Sequence, residues 1–383
     1  MQTKTQSSST VKISHLQLAS LLAVSVIFSL TMPVPFTVGY SIERLVILGV
    51  SALIIILMYT PFIVFTAKNN RGVLEINNRF FKWFFGLIIL IRLIYTAVLT
   101  ALQMHIFIKE TIMGYLSAII FIVSIFAVAL YGSAKGIQAS ARIAPLSLLL
   151  YIFVIVTVSA LAWDRVEIIR IHSPFYGENI ISRSLTDAIR NDELFFFATL
   201  CGFIRPKSSN ETQKTQGQGF KSILYYLPVT LVTGVWLTLL YHAVFCRFAE
   251  SIPYPLHATA AFSSLTLIER MDGVFVNAGI IGGILKIVLT FICIRVVIST
   301  LYSPKNAQSP QPVKPHRKAK ITATVLLIGV AVLSYFVVSN TEQYLAWTDD
   351  GSGILNIFFA VTLIITALIL PLTALIKSKK EWS

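Results

Sequence analysis

The chain has 383 residues, of which 56% are hydrophobic and 13% charged, about half the charged share of an average soluble domain. That composition cannot coat a soluble globule; the 26 phenylalanines exclude a disordered chain, and three cysteines in this length exclude a disulfide scaffold. The net charge of +14 therefore reads as membrane topology, and no nucleic-acid partner is expected.

A helix crosses a bilayer with about 20 apolar residues. Apolar runs fall at 15–36, 42–67, 83–108, 112–132, 143–163, 194–204, 222–246, 274–302, 320–339 and 353–376. They predict an all-α integral membrane protein of ten transmembrane helices, with tails at 1–14 and 377–383 around one transmembrane domain at 15–376. The sixth run is short by itself, and a start further back, near Ser184, lengthens it. With the N-terminus inside, 20 of the 31 basic residues fall on the cytoplasmic side and 8 outside, while Arg92, Lys286 and Arg295 lie within spans. Of the 17 acidic residues, 14 fall outside. Lys and Arg counts set orientation, so both termini are expected in the cytoplasm. A cleaved signal peptide fits the first run poorly, because it ends at Pro33 and Pro35 without a small-residue cleavage site. Tyr40, Trp83, Trp163, Tyr225, Tyr302 and Trp347 lie near predicted interfaces, where amphipathic rings prefer to sit.

Two of the longer connections, 67–82 and 247–273, follow the second and seventh spans and read as short amphipathic helices. If the sixth span restarts the pattern of the first, the chain is five spans plus five. Five is odd, so the second copy is inverted in the membrane. Inverted repeats of this kind build secondary transporters, with the substrate at the midplane beside broken helices.

No soluble-enzyme motif occurs, and the chain reads as a non-enzyme without cofactor or metal. Cys201, Cys246 and Cys293 read as small buried hydrophobes. Charges within spans are costly and so point to function. Arg92 begins a polar stripe with Tyr95, Thr96, Thr100 and Gln103 on one face of the third helix. The stripe faces either a water-filled cavity or hydrogen-bonding partners on other helices. Lys286 lies mid-span in the eighth helix, too deep to snorkel, with no acidic residue at comparable predicted depth. Gly279, Gly282 and Gly283 precede it and read mainly as helix packing. The sixth span, DELFFFATLCGFIRPK, is short and stops at Arg205-Pro206, which points to a broken helix. In the first span, Ser25, Ser29 and Thr31 precede Pro33.

Several segments together resemble the endospore germination permeases, the membrane B subunits of nutrient germinant receptors, a branch of the amino acid–polyamine–organocation transporters. They are Ser14-His15-Leu16-Gln17, the stretch from Gly136 to Ala141-Arg142, Ser173-Pro174 with Gly177, the span-six exit from Gly202 to Lys207, and Leu267-Ile268-Glu269-Arg270-Met271-Asp272. The resemblance covers about 14–376. It implies a five-plus-five inverted fold with helices one and six broken at the site. It implies binding of a small nutrient, typically an amino acid, in the spore inner membrane, alongside a soluble-domain-bearing A subunit and a lipoprotein C subunit. In that fold helices one, three, six and eight meet, so Ser25, Ser29, Tyr95, Thr96, Thr199, Gly202 and Asn277 are expected to line one ligand cavity. Lys286 is expected to stand where a coupling cation would bind. The sequence departs from the family in having no glycine at Phe28-Ser29-Leu30 and no acid in the core of span six. A conventional amino acid or cation-coupled transporter is the alternative.

Overall fold

The computed structural model describes residues 13–32, 43–69, 79–112, 114–166, 180–189, 191–204, 218–245, 248, 252, 254–262, 272–302, 317–342 and 361–362. The first five helices are α1 (His15–Thr31), α2 (Glu43–Asn69), α3 (Arg79–Thr111), α4 (Ala118–Lys135) and α5 (Ile137–Leu161). They follow the first five predicted spans. Then come α6 (Ile180–Ile189), α7 (Glu193–Leu200), α8 (Gln218–Phe245), α9 (Pro255–Phe262), α10 (Asp272–Leu301) and α11 (Arg317–Ser339). Seven of the described helices, α2, α3, α4, α5, α8, α10 and α11, are long and apolar enough to cross a membrane. The chain is a multi-pass membrane protein. The predicted tenth span at 353–376 lies outside the described residues apart from 361–362.

Local signals set several boundaries. Ser14 caps α1 through a reciprocal pair with Gln17: the Gln17 amide donates to the Ser14 hydroxyl at 3.1 Å, and the Ser14 amide donates to the Gln17 side chain at 2.9 Å. Gly136 turns the chain between α4 and α5 at φ +85°, a conformation that side chains with a Cβ adopt at a cost. Ile13, within the N-terminal tail expected at 1–14, is 1% exposed. Its amide donates to the Phe203 carbonyl at 3.0 Å, and Ile13 and Ile204 form a parallel bridge. Of the two expected amphipathic connections, the second contains α9. In the first, 67–69 belong to α2 and 79–82 to α3, and 70–78 lie outside the described residues.

The centre of the bundle is α10, on which every residue from 285 to 294 is buried. It packs along α3, α4, α5 and α1. Glycines allow this closeness. A methyl group added at Gly282 would run into the Tyr151 ring and hydroxyl from α5, and one at Gly283 into Met104 of α3 and Phe28 of α1. The glycine run is therefore a packing surface. Outward rows such as Ile120 and Val123, Leu146 and Leu149, and Val325 and Ile328 are exposed, as lipid-facing apolar side chains should be.

The packing has an internal correspondence. α1 lies against α8 as α6 lies against α2; α1 against α10 as α7 against α3; α4 against α10 as α11 against α3. Counting α6 with α7 as the sixth span, each pair becomes the other when five is added to its lower span number and subtracted from its higher one.

Candidate functional site

The sixth span is interrupted. The ten residues of α6 end at Ile189, Asn191 and Asp192 follow, and α7 begins at Glu193. A 3-10 turn, Cys201–Phe203, then closes the inner run. α7 is eight residues long, about 12 Å, so its N-terminal end falls within the bundle. Two acidic residues open it, Asp192 at the cap and Glu193 in the first turn. Carboxylates are favoured there by the positive end of the helix dipole. α6 is held on α2 by two ion pairs, Arg44–Asp187 at 3.0 Å and Arg183–Glu43 at 3.3 Å. Asn191 is held from both sides: Tyr59 of α2 donates to its Oδ1 at 3.5 Å, and its Nδ2 donates to the Tyr226 hydroxyl of α8 at 3.2 Å.

Four charges meet at this break. Arg92 of α3 donates to Asp192 Oδ1 through Nε at 3.1 Å and lies 3.0 Å from it through a terminal guanidinium nitrogen. Its guanidinium also lies over the rings of Phe195, at 5.4 Å, and Tyr95, at 5.8 Å. Lys286 of α10 stands 3.7 Å from Asp192 Oδ2 and 3.9 Å from Glu193 Oε1. Its Nζ donates to Ser29 Oγ of α1 at 2.6 Å. Ser25, one turn earlier on α1, donates to Glu193 Oε1 at 2.8 Å. Arg92, Asp192, Glu193 and Lys286 are all buried, between 1% and 6% exposed. Burying ions is tolerable only when partners replace water, and here four elements supply them.

The sequence-derived set divides on this geometry. Ser29 contacts Lys286 directly, and Ser25 contacts Glu193, which lies beside Lys286. Tyr95 and Thr96 adjoin Arg92 on α3; the buried Thr96 hydroxyl donates to the Arg92 carbonyl at 3.0 Å. Thr199 is buried on α7, but its hydroxyl donates to the Phe195 carbonyl of its own helix at 2.7 Å. Gly202 lies in the 3-10 turn at the far end of α7. It is nine residues from Glu193, about 13 Å away along a helix, so it is not at the break. Asn277 is exposed, and its side chain donates to the Gly273 carbonyl one turn back at 2.9 Å; it does not join the cluster. α1 runs unbroken from His15 to Thr31. Phe28-Ser29-Leu30 has neither glycine nor proline to interrupt it, so α1 is unbroken through this stretch; the helix ends at Thr31, and residues 33–42 lie outside the described residues.

The largest correction concerns the acids. Lys286 has two carboxylates at its own depth, Asp192 and Glu193. Counting a continuous span placed them near the outer surface. The interruption after Ile189 brings them inward. The signal was present in the sequence as an Asn-Asp-Glu run opening a very short apolar helix.

No protein-family model and no curated protein matches the sequence. Solved structures do match. A Na+-coupled sialic acid symporter, in a substrate-bound outward-open state, superposes with a TM-score of 0.56 at 15% identity, over 91% of this chain and 76% of that one. Mhp1, a nucleobase-cation-symport-1 family transporter, in a closed conformation with bromovinylhydantoin bound, gives 0.60 at 13% identity, over 95% and 78%. At such identities the likeness is one of fold: this chain has the fold of secondary transporters.

Proposed function

We propose that this chain is a membrane permease that binds a small polar solute at the interruption between α6 and α7. The observation that carries this reading is the buried four-charge cluster, Arg92, Asp192, Glu193 and Lys286, at the end of a half-helix. Ionisable groups deep in a membrane bundle, beside a discontinuous helix, are the physical signature of a solute site. The exchangeable packing of α1–α8 with α6–α2, and of α1–α10 with α7–α3, supports a five-plus-five inverted arrangement of ten spans, and the distribution of basic residues supports both termini in the cytoplasm.

Sodium coupling belongs to one of the structural neighbours by its own description. Here an ammonium takes the position among hydroxyl and carboxylate oxygens that a monovalent cation would need. Lys286 thus replaces a coupling cation, and activity is independent of sodium. Lys286→Met tests this. The variant should accumulate in the membrane and lose its response or uptake, while wild type behaves alike in sodium and choline buffers. A fully active Lys286→Met protein refutes the assignment.

A narrower reading follows the sequence segments that resemble germination permeases, among them the Gly136 turn into α5. On it the solute is a nutrient such as an amino acid, the site is a sensor in the spore inner membrane, and the working unit includes an A subunit and a lipoprotein C subunit. Deleting the gene and screening spores against a nutrient panel tests it. Loss of germination to one nutrient supports the sensor. Normal germination, with labelled amino acid uptake by the chain alone in proteoliposomes, leaves a conventional transporter.

A further inference from the structure

The two carboxylates of the cluster are held in different ways. Among the described residues, the ion-pair and hydrogen-bond partners of the Asp192 carboxylate are cationic donors: Arg92 on Oδ1 at 3.0 and 3.1 Å, and Lys286 near Oδ2 at 3.7 Å. Guanidinium and ammonium groups donate and cannot accept, so a proton on Asp192 would have no acceptor in them. Glu193 instead meets the Ser25 hydroxyl at 2.8 Å, and Lys286 at 3.9 Å lies beyond hydrogen-bond reach. A hydroxyl both donates and accepts, so Ser25 serves Glu193 ionised or protonated. The other groups that face Glu193 are the neighbouring carboxylate of Asp192, Tyr226 of α8 and Tyr59 of α2, all within electrostatic range, and Arg92 of α3 through Asp192. Neither tyrosine supplies a cation.

Charge counting gives this asymmetry a consequence. Two cations balance two anions in the cluster. If Glu193 takes a proton, Lys286 is left sharing Asp192 with Arg92, and the site carries one uncompensated positive charge. An anionic ligand restores the balance; a zwitterion brings its own cation and requires no proton.

We propose that Glu193 is a proton-binding group linked to occupancy of Lys286 by a ligand carboxylate, so that one proton is taken up with one small organic monocarboxylate. The proton leaves hydronium on one side of the membrane, giving water, and forms an O–H bond on the Glu193 carboxylate. That bond breaks when the proton passes to water on the other side, and no electrons are exchanged. This rests on the permease reading above, and it names the cargo and the coupling that reading leaves open. Linkage is reciprocal, so lactate affinity should rise about tenfold per pH unit of acidification over the range where free Glu193 is ionised.

The test uses the full chain in proteoliposomes carrying a luminal pH dye, with L-lactate, pyruvate or L-alanine added outside, and empty vesicles as the blank. Lactate or pyruvate should acidify the lumen above the blank and alanine should not. Glu193→Gln, which conserves volume and the Ser25 contact, should abolish acidification and flatten the pH dependence of lactate binding. In detergent, lactate should raise the infrared band of a protonated carboxyl in wild type and not in Glu193→Gln. The wild-type band needs no variant, so its absence overturns the proposal even if Glu193→Gln fails to fold. Alanine uptake without acidification by either acid overturns the proposal and leaves the permease reading standing. If none of the three solutes moves and no infrared change occurs, the proposal falls, and the permease reading is then decided by the Lys286→Met test. Acidification that persists in Glu193→Gln places the proton elsewhere and overturns the role of Glu193.

Discussion

Asp192 is the residue on which the cluster depends, because it alone touches both cations. Asp192→Asn keeps the shape and removes the charge. Arg92, 1% exposed, would then be a buried guanidinium facing a neutral amide. Breaking one member of a buried pair typically costs about 3–5 kcal/mol. We expect a marked fall in thermal unfolding temperature in detergent. The double variant Arg92→Leu/Asp192→Leu should recover part of it, since removing both charges leaves none unpaired. A single variant as stable as wild type would mean that the pair contributes nothing. Ser25 and Ser29 were legible from sequence as hydroxyls on an apolar helix near a suspected site. Their partners were not legible. Glu193 is 168 residues from Ser25, and Lys286 is 257 residues from Ser29, and no local pattern reports contacts of that range.

At the scale of elements, α10 and α6 make opposite demands. α10 relies on missing side chains. Gly282→Ala should reduce folded yield, because its methyl group meets the Tyr151 ring, and overpacking a tight contact costs about 1–3 kcal/mol. Tyr151→Leu in the same chain should restore part of the yield. Gly329 on α11 has nothing within 4 Å of a built Cβ, so Gly329→Ala should leave yield unchanged or raise it. Detergent-solubilised monodisperse protein measures both. α6 instead relies on charges. Arg44→Asp should weaken its hold on α2, by about 1 kcal/mol for a partly exposed pair. The exchange Arg44→Asp/Asp187→Arg should return it, read as protease resistance of the α6 segment. The seven long helices were legible because runs of 18 or more apolar residues have one physical reading. The sixth span was legible only as short. Its outer half, α6, carries Arg183 and Asp187 on one face and Ile181 and Leu185 exposed on another, and such an amphipathic segment falls below any hydropathy threshold.

For the whole molecule, the proposed orientation rests on the basic residues, 20 against 8, and the packing correspondence does not depend on it. Single cysteines at position 310 and within 164–179 test the topology with an impermeant reagent. We expect labelling of intact cells at 164–179 only. Labelling at 310 from outside would reverse the assignment of sides.

The order in which the chain is made bears on Arg92. Its anion, Asp192, lies 100 residues downstream, so at about 5–20 residues per second the ribosome delivers it roughly 5–20 s later. During that interval α3 leaves the translocon with an arginine that has no carboxylate to meet, at an insertion cost of about 2.5–3.5 kcal/mol. Lys286 is spared this wait, because both of its acids precede it in the sequence. The nascent protein thus passes through a stage in which its third helix carries a cation whose partner Asp192 has not yet been made. The arrival of the short α7 ends that stage, and the helix least able to insert alone becomes the one that secures its predecessor.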